Sequence, residues 1–142
     1  MKSSEKTRSV EEIAVSVFNE FCRREPMFPV GYCDVASFTL AEALIREGYT
    51  DVKLIWLPNM KHWLVRVDDP SLAAPVWIDL TISQFYDGEY WFFLDTEKPP
   101  WVRHDEPVEY SASELLAENR DKVDEAIIEA SFQKTEKNLV FA

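Results

Sequence analysis

Apolar residues recur at helical intervals early in the chain and alternate with polar ones in its middle, and this change of period divides the chain into elements. Val10, Ile13, Ala14, Val17, Phe18 and Phe21 keep the spacing of a helix with one buried face. Ser9 and Glu12 have the spacing of a capping box and Pro26 stops the run, so the pattern predicts a helix over residues 10–24. A second helical run begins at Cys33, after the turn formers Pro29 and Gly31, and closes at Gly48, which suits the left-handed end of a helix. Shorter runs at residues 52–57, 62–67 and 76–80 read as strands, separated by Pro58-Asn59 and Asp68-Asp69-Pro70. They predict an antiparallel sheet backing the helix that starts at Cys33.

Residues 82–94 hold Phe85, Tyr86, Tyr90, Trp91, Phe92 and Phe93 around Asp87-Gly88, the composition of a further strand pair or of a loop over a site. Pro99-Pro100 breaks this segment, and residues 101–110 follow neither period. Ser111 and Glu114 repeat the capping-box spacing and predict a last helix through residue 132, with Leu115, Leu116, Val123, Ile127 and Ile128 as its apolar positions. No repeat, low-complexity tract or linker divides the chain. The expected fold is α+β, one domain over residues 1–142: a helix bearing Cys33 packed on a small antiparallel β-sheet, with flanking N- and C-terminal helices.

Strand parity then selects candidate chemistry. In an antiparallel hairpin, paired residues have a constant index sum, and side chains two apart share a face. Pairing Val67 with Val76 gives a sum of 143, and pairing His62 with Asp79 gives 141. Both sums are odd, so either register sets His62 and Asp79 on one face within diagonal reach. Cys33, at a helix start, stands where partial positive charge favours a thiolate. A thiol, an imidazole and a carboxylate are the parts of nucleophilic acyl transfer: attacking sulfur, proton carrier and orienter of the ring. Each also has a plain structural use, Cys33 as a small buried hydrophobe, His62 at a strand start and Asp79 as the cap of the turn at Thr81 and Ser83.

Composition narrows the classes. Five Trp, nine Phe and five Tyr within 46% hydrophobic residues point to a folded chain with a sizeable core. With 15 basic and 26 acidic residues the net charge is −11, which repels phosphate backbones and attracts a basic protein partner. Nucleic-acid binding is therefore not expected. No apolar run approaches the ~20 residues that span a bilayer, and the polar N-terminus carries no secretory pattern. Two cysteines without such a pattern point to a reducing cytoplasm and free thiols. Cys22 beside Phe21 reads as structural and His104 as solvated. Cys22, Cys33, His62 and His104 lack the short spacings of a zinc site, so no metal is expected. Three glycines leave no phosphate-cradling loop, so no nucleotide cofactor is expected either.

Three segments carry a resemblance: residues 31–37 around Cys33, residues 61–65 with His62-Trp63, and residues 77–85 with Asp79-Leu80-Thr81 and Gln84-Phe85. Together with separations of 29 and 17 residues between Cys33, His62 and Asp79, they resemble the papain-like cysteine hydrolases in their compact transglutaminase-like form, over residues 28–85. The resemblance implies Cys33 as nucleophile, His62 as general base and acid and Asp79 as orienter, with Tyr32 and Trp63 as substrate-binding walls. It implies no cofactor and a protein or peptide amide as substrate, with hydrolysis, peptide cleavage and glutamine deamidation all open. Small cytoplasmic bacterial or phage-encoded proteins are a natural home for such a domain. One part of the pattern differs: the glutamine that precedes the cysteine in papain-type enzymes has no counterpart in residues 24–28, which leaves the Cys33 N–H and another donor to hold an oxyanion. The alternative reading is a non-catalytic acidic interaction protein on the same scaffold that binds a basic partner.

Overall fold

The computed structural model describes residues 8–85 and 92–141. Helix α1, Val10–Arg24, starts in the expected capping box: Glu12 N–H donates to Ser9 Oγ at 3.0 Å, and Ser9 N–H donates to Glu12 Oε1 at 2.8 Å. Ile13, Ala14, Val17 and Phe21 on its inner face are buried. Helix α2, Cys33–Glu47, is apolar on almost every side, with Ala36, Phe38, Leu40, Ala41, Ala43 and Leu44 all buried, because it lies at the centre of the molecule. It packs on the sheet and also against helices before and after it in the chain. Gly48 ends it at φ 114°, a left-handed conformation that a Cβ would strain.

Strands β1 (Val52–Leu57), β2 (His62–Val67), β3 (Val76–Asp79), β4 (Phe93–Asp95) and β5 (Val108–Ser111) form one antiparallel sheet in the order β4-β3-β2-β1-β5. Val67 pairs with Val76 and Val65 with Ile78, which is the index sum of 143. Both faces of the sheet are covered. Val52, Leu54, Val65, Val67 and Ile78 join the main core beneath the helices. Ile55, Leu57, Leu64 and Trp77 form a second cluster with Ile82, Trp101 and Val102 on the other face. Trp101 and Val102 arrive on the short helix α3, Pro100–Arg103, which Pro100 opens rather than prevents, since proline lacks only an N–H that a first turn leaves unpaired.

The C-terminal part differs from the expected single helix. Helix α4, Ala112–Ala117, and helix α5, Glu125–Phe141, are separate. Asn119 Nδ2 donates to the Leu115 carbonyl at 2.9 Å, Val123 turns into the core, and a new start follows at Asp124, whose Oδ1 accepts from Ile127 N–H at 3.2 Å. Ser111, read as a helix cap, makes no capping bond and is the last residue of β5. Of the aromatic segment at residues 82–94, Ile82–Gln84 is a 3-10 turn and Phe93–Asp95 is β4. Residues 86–91, read as a strand pair or covering loop, lie outside the described residues. Among those described, no helix is long and apolar enough to cross a membrane.

Candidate active site

Cys33 occupies the first position of α2. The chain enters through a turn in which Tyr32 N–H donates to the Pro29 carbonyl at 3.0 Å and Gly31 takes a φ of 79°. A first-position N–H has no intrahelical acceptor, so the Cys33 amide is available at the positive end of the helix. Asp34 follows, and its charge is met by Lys122, whose Nζ donates to Asp34 Oδ2 at 2.7 Å. That hydrogen bond and the Asp34 charge hold the Lys122 ammonium above its ordinary pKa. One turn along the Cys33 side of the helix, Ser37 Oγ donates to the Trp63 carbonyl at 3.1 Å. This bond ties the first turn of α2 to the start of β2, the strand that His62 opens.

His62 and Asp79 are fully buried, and His62 Nε2–H donates to Asp79 Oδ2 at 2.8 Å. The same oxygen accepts from Trp101 Nε1–H at 3.0 Å, while Asp79 Oδ1 accepts from Thr81 N–H at 3.2 Å. Asp79 thus caps the turn after β3 and orients the imidazole at once. With Nε2 engaged, Nδ1 is the free ring nitrogen; it has no hydrogen-bond partner among the described residues. Burial acts to lower the His62 pKa, but the Asp79 hydrogen bond, the interaction with Cys33 and the charges of both outweigh it and raise the value from 6.5 to about 9. The imidazolium is therefore favoured at neutral pH.

Phe85 meets the His62 ring edge to face, with centroids 5.0 Å apart, and keeps 45% of its own surface exposed. Gln84 Oε1 accepts from Gly31 N–H at 3.5 Å, which links the segment after Asp79 to the turn before Cys33. Met27 and Val30, in that turn, are 68% and 60% exposed. Cys33 is itself half-buried, and exposed apolar side chains stand in the turn before it and against His62.

The remaining sequence candidates make other contacts. Trp63 follows His62 and so points to the opposite face of β2, where it contacts Phe38, Trp56 and Tyr110. Tyr32 packs against Phe21 and Phe28 and donates its hydroxyl to Glu25 Oε1 at 2.7 Å. Cys22 is exposed on α1 rather than a core hydrophobe, with crowding around its sulfur that pushes its thiol pKa up. His104 is exposed at the end of α3. Neither cysteine forms a disulfide. Among the described residues, no three His, Cys, Asp or Glu side chains gather as metal ligands. A cavity of about 380 Å³, lined by Ile45, Tyr49, Asp51 and Ser111 among others, opens at the far end of α2 from Cys33.

Sequence reasoning missed two members of the site. Trp101 lies 22 residues beyond Asp79, in the segment without periodicity, and no local signal ties it to a carboxylate. Gln84 was visible only as part of the Asp-Leu-Thr and Gln-Phe pattern, without a partner. In comparisons with known proteins, no protein-family model, no curated protein and no solved structure matches this chain.

Proposed function

We propose that the protein is a cysteine-dependent acyl-transfer hydrolase of the papain-like, transglutaminase-like kind, acting on a protein or peptide amide through a thioester on Cys33. The observation that carries this reading is the buried His62–Asp79 pair at 2.8 Å, which leaves Nδ1 without a hydrogen-bond partner among the described residues and whose imidazole pKa is raised in part by Cys33, a thiol at a helix start. The Cys33 thiolate attacks the amide carbon, a C–S bond forms, and the carbonyl pair moves onto oxygen. As that pair returns, the C–N bond breaks and His62 Nδ1–H protonates the departing amine. Neutral His62 then takes a proton from water as it attacks the thioester, and expulsion of the Cys33 thiolate releases the acid and restores the thiolate–imidazolium pair. Asp79 keeps the ring in one tautomer and stabilises its cation throughout.

The exposed Met27, Val30 and Phe85 suit an apolar group next to the scissile amide. Two free thiols suit a reducing compartment, and the reading sets the activity in the cytoplasm. The test is release of amine or ammonia from denatured proteins and glutamine-containing peptides. Turnover is expected from the wild type and from Cys22→Ser, and none from Cys33→Ala or His62→Ala with unchanged circular dichroism. Turnover by Cys33→Ala in a clean preparation defeats the proposal. The net charge of −11 favours a second reading, an acidic interaction protein whose salt-sensitive binding of a basic partner survives Cys33→Ala.

A further inference from the structure

A thiolate that adds to a carbonyl creates a negative oxygen, and rate depends on donors already aimed at it. The Cys33 N–H is one such donor, at the first position of α2. A glutamine upstream of the cysteine is missing, but the fold brings a carboxamide to the same turn from far along the chain. Gln84 ends the 3-10 turn Ile82–Gln84, which follows the orienting Asp79, and its Oε1 accepts from Gly31 N–H two residues before Cys33, at 3.5 Å. At 3.5 Å this contact lies at the outer limit of a hydrogen bond. With Oε1 turned toward Gly31 N–H, the Gln84 Nε2 makes no hydrogen bond among the described residues. The next residue, Phe85, lies against the His62 ring, so residues 84 and 85 bridge from the Cys33 turn to the imidazole.

We infer that Gln84 Nε2–H and the Cys33 N–H together hydrogen-bond the oxyanion formed at Cys33, which makes Gln84 a catalytic residue supplied from the Asp79 side of the site. The inference rests on the reading of Cys33 as an acylated nucleophile. It separates two reactions of that sulfur. With p-nitrophenyl acetate the thiolate forms a C–S bond, the carbonyl pair moves to oxygen and returns, and p-nitrophenolate leaves without needing a proton. With iodoacetamide the thiolate displaces iodide at a saturated carbon, and no oxyanion arises.

The experiment compares both rates in a Cys22→Ser background for the parent, Gln84→Ala and Gln84→Glu, each across pH so that plateau rates are compared. Gln84→Glu keeps an acceptor for Gly31 N–H but loses the Nε2 donors, so a role confined to pinning the turn survives it. Acylation is expected to fall about 100-fold in both variants while alkylation stays within about 3-fold of the parent. Acylation that is retained in Gln84→Glu overturns the inference, because the pin alone then suffices. Parallel losses of acylation and alkylation overturn it too, because Gln84 then acts on the thiolate. A parent that neither acylates nor alkylates faster than an ordinary thiol instead removes the underlying reading of Cys33, and the inference with it.

Discussion

Replacing Asp79 by asparagine isolates what the buried carboxylate does. The carboxylate accepts three N–H groups, from His62, Trp101 and Thr81, and an asparagine amide has one acceptor and one donor end. Either orientation turns an NH2 toward a buried donor, which leaves at least one N–H unpaired at a cost of about 1–3 kcal/mol. The charge is lost as well. In the wild type the His62 pKa is raised from 6.5 to about 9, and at ~1.4 kcal/mol per pKa unit this is about 3 kcal/mol in favour of the folded imidazolium. A raised histidine pKa stabilises the fold fully below the unfolded value near 6.5, and that stabilisation is lost as pH rises through about 9. Cys33→Ala provides the background, so that the thiol does not enter the proton count. The assays are NMR titration of the His62 ring and urea unfolding on the two sides of this window. With Asp79 present, the His62 pKa is expected above 6.5 and unfolding free energy falls from the acid to the alkaline side. With asparagine, burial acts without a counter-charge, so the pKa falls below 6.5 and the alkaline loss disappears. A His62 pKa unchanged by Asp79→Asn refutes the reasoning.

Trp101→Phe removes one donor to a charged acceptor; urea unfolding is expected to show a loss of about 2 kcal/mol, with Cys33 alkylation largely preserved because His62 keeps its own bond to Asp79. Amide turnover is expected to decline on the alkaline side as His62 loses its proton at about pH 9, whereas acylation by p-nitrophenyl acetate, whose leaving group needs no proton, keeps its rate there; parallel declines count against His62 as the acid. Ser9→Ala removes the α1 capping box and is expected to cost about 1 kcal/mol, read as a lower melting temperature with an unchanged alkylation rate.

Much of the fold is legible where local pattern and burial agree. The α1 run has both its period and its capping residues in sequence, and the Val67–Val76 pairing weighed from the sequence is the one observed, so the shared face of His62 and Asp79 follows from its odd index sum. Legibility fails where tertiary contacts decide. Val108–Ser111 is an exposed edge strand with no apolar alternation of its own, held by pairing with β1. The break between α4 and α5 is set by Val123 reaching the core and by Asp124 N–H donating to Thr39 Oγ1 at 3.0 Å, a residue of α2. Trp101 reaches Asp79 only because α3 covers the second face of the sheet. Sequence adjacency also misleads at Trp63, which borders His62 in the chain and faces the other way in the strand.

The proposed activation of the Cys33 thiol by His62 is read out by the pH dependence of its alkylation with iodoacetamide. In a Cys22→Ser background, the account predicts rapid alkylation already below about pH 7, abolished by His62→Ala. Slow alkylation that rises only near the ordinary thiol pKa of about 8.5, and that is indifferent to His62→Ala, contradicts it.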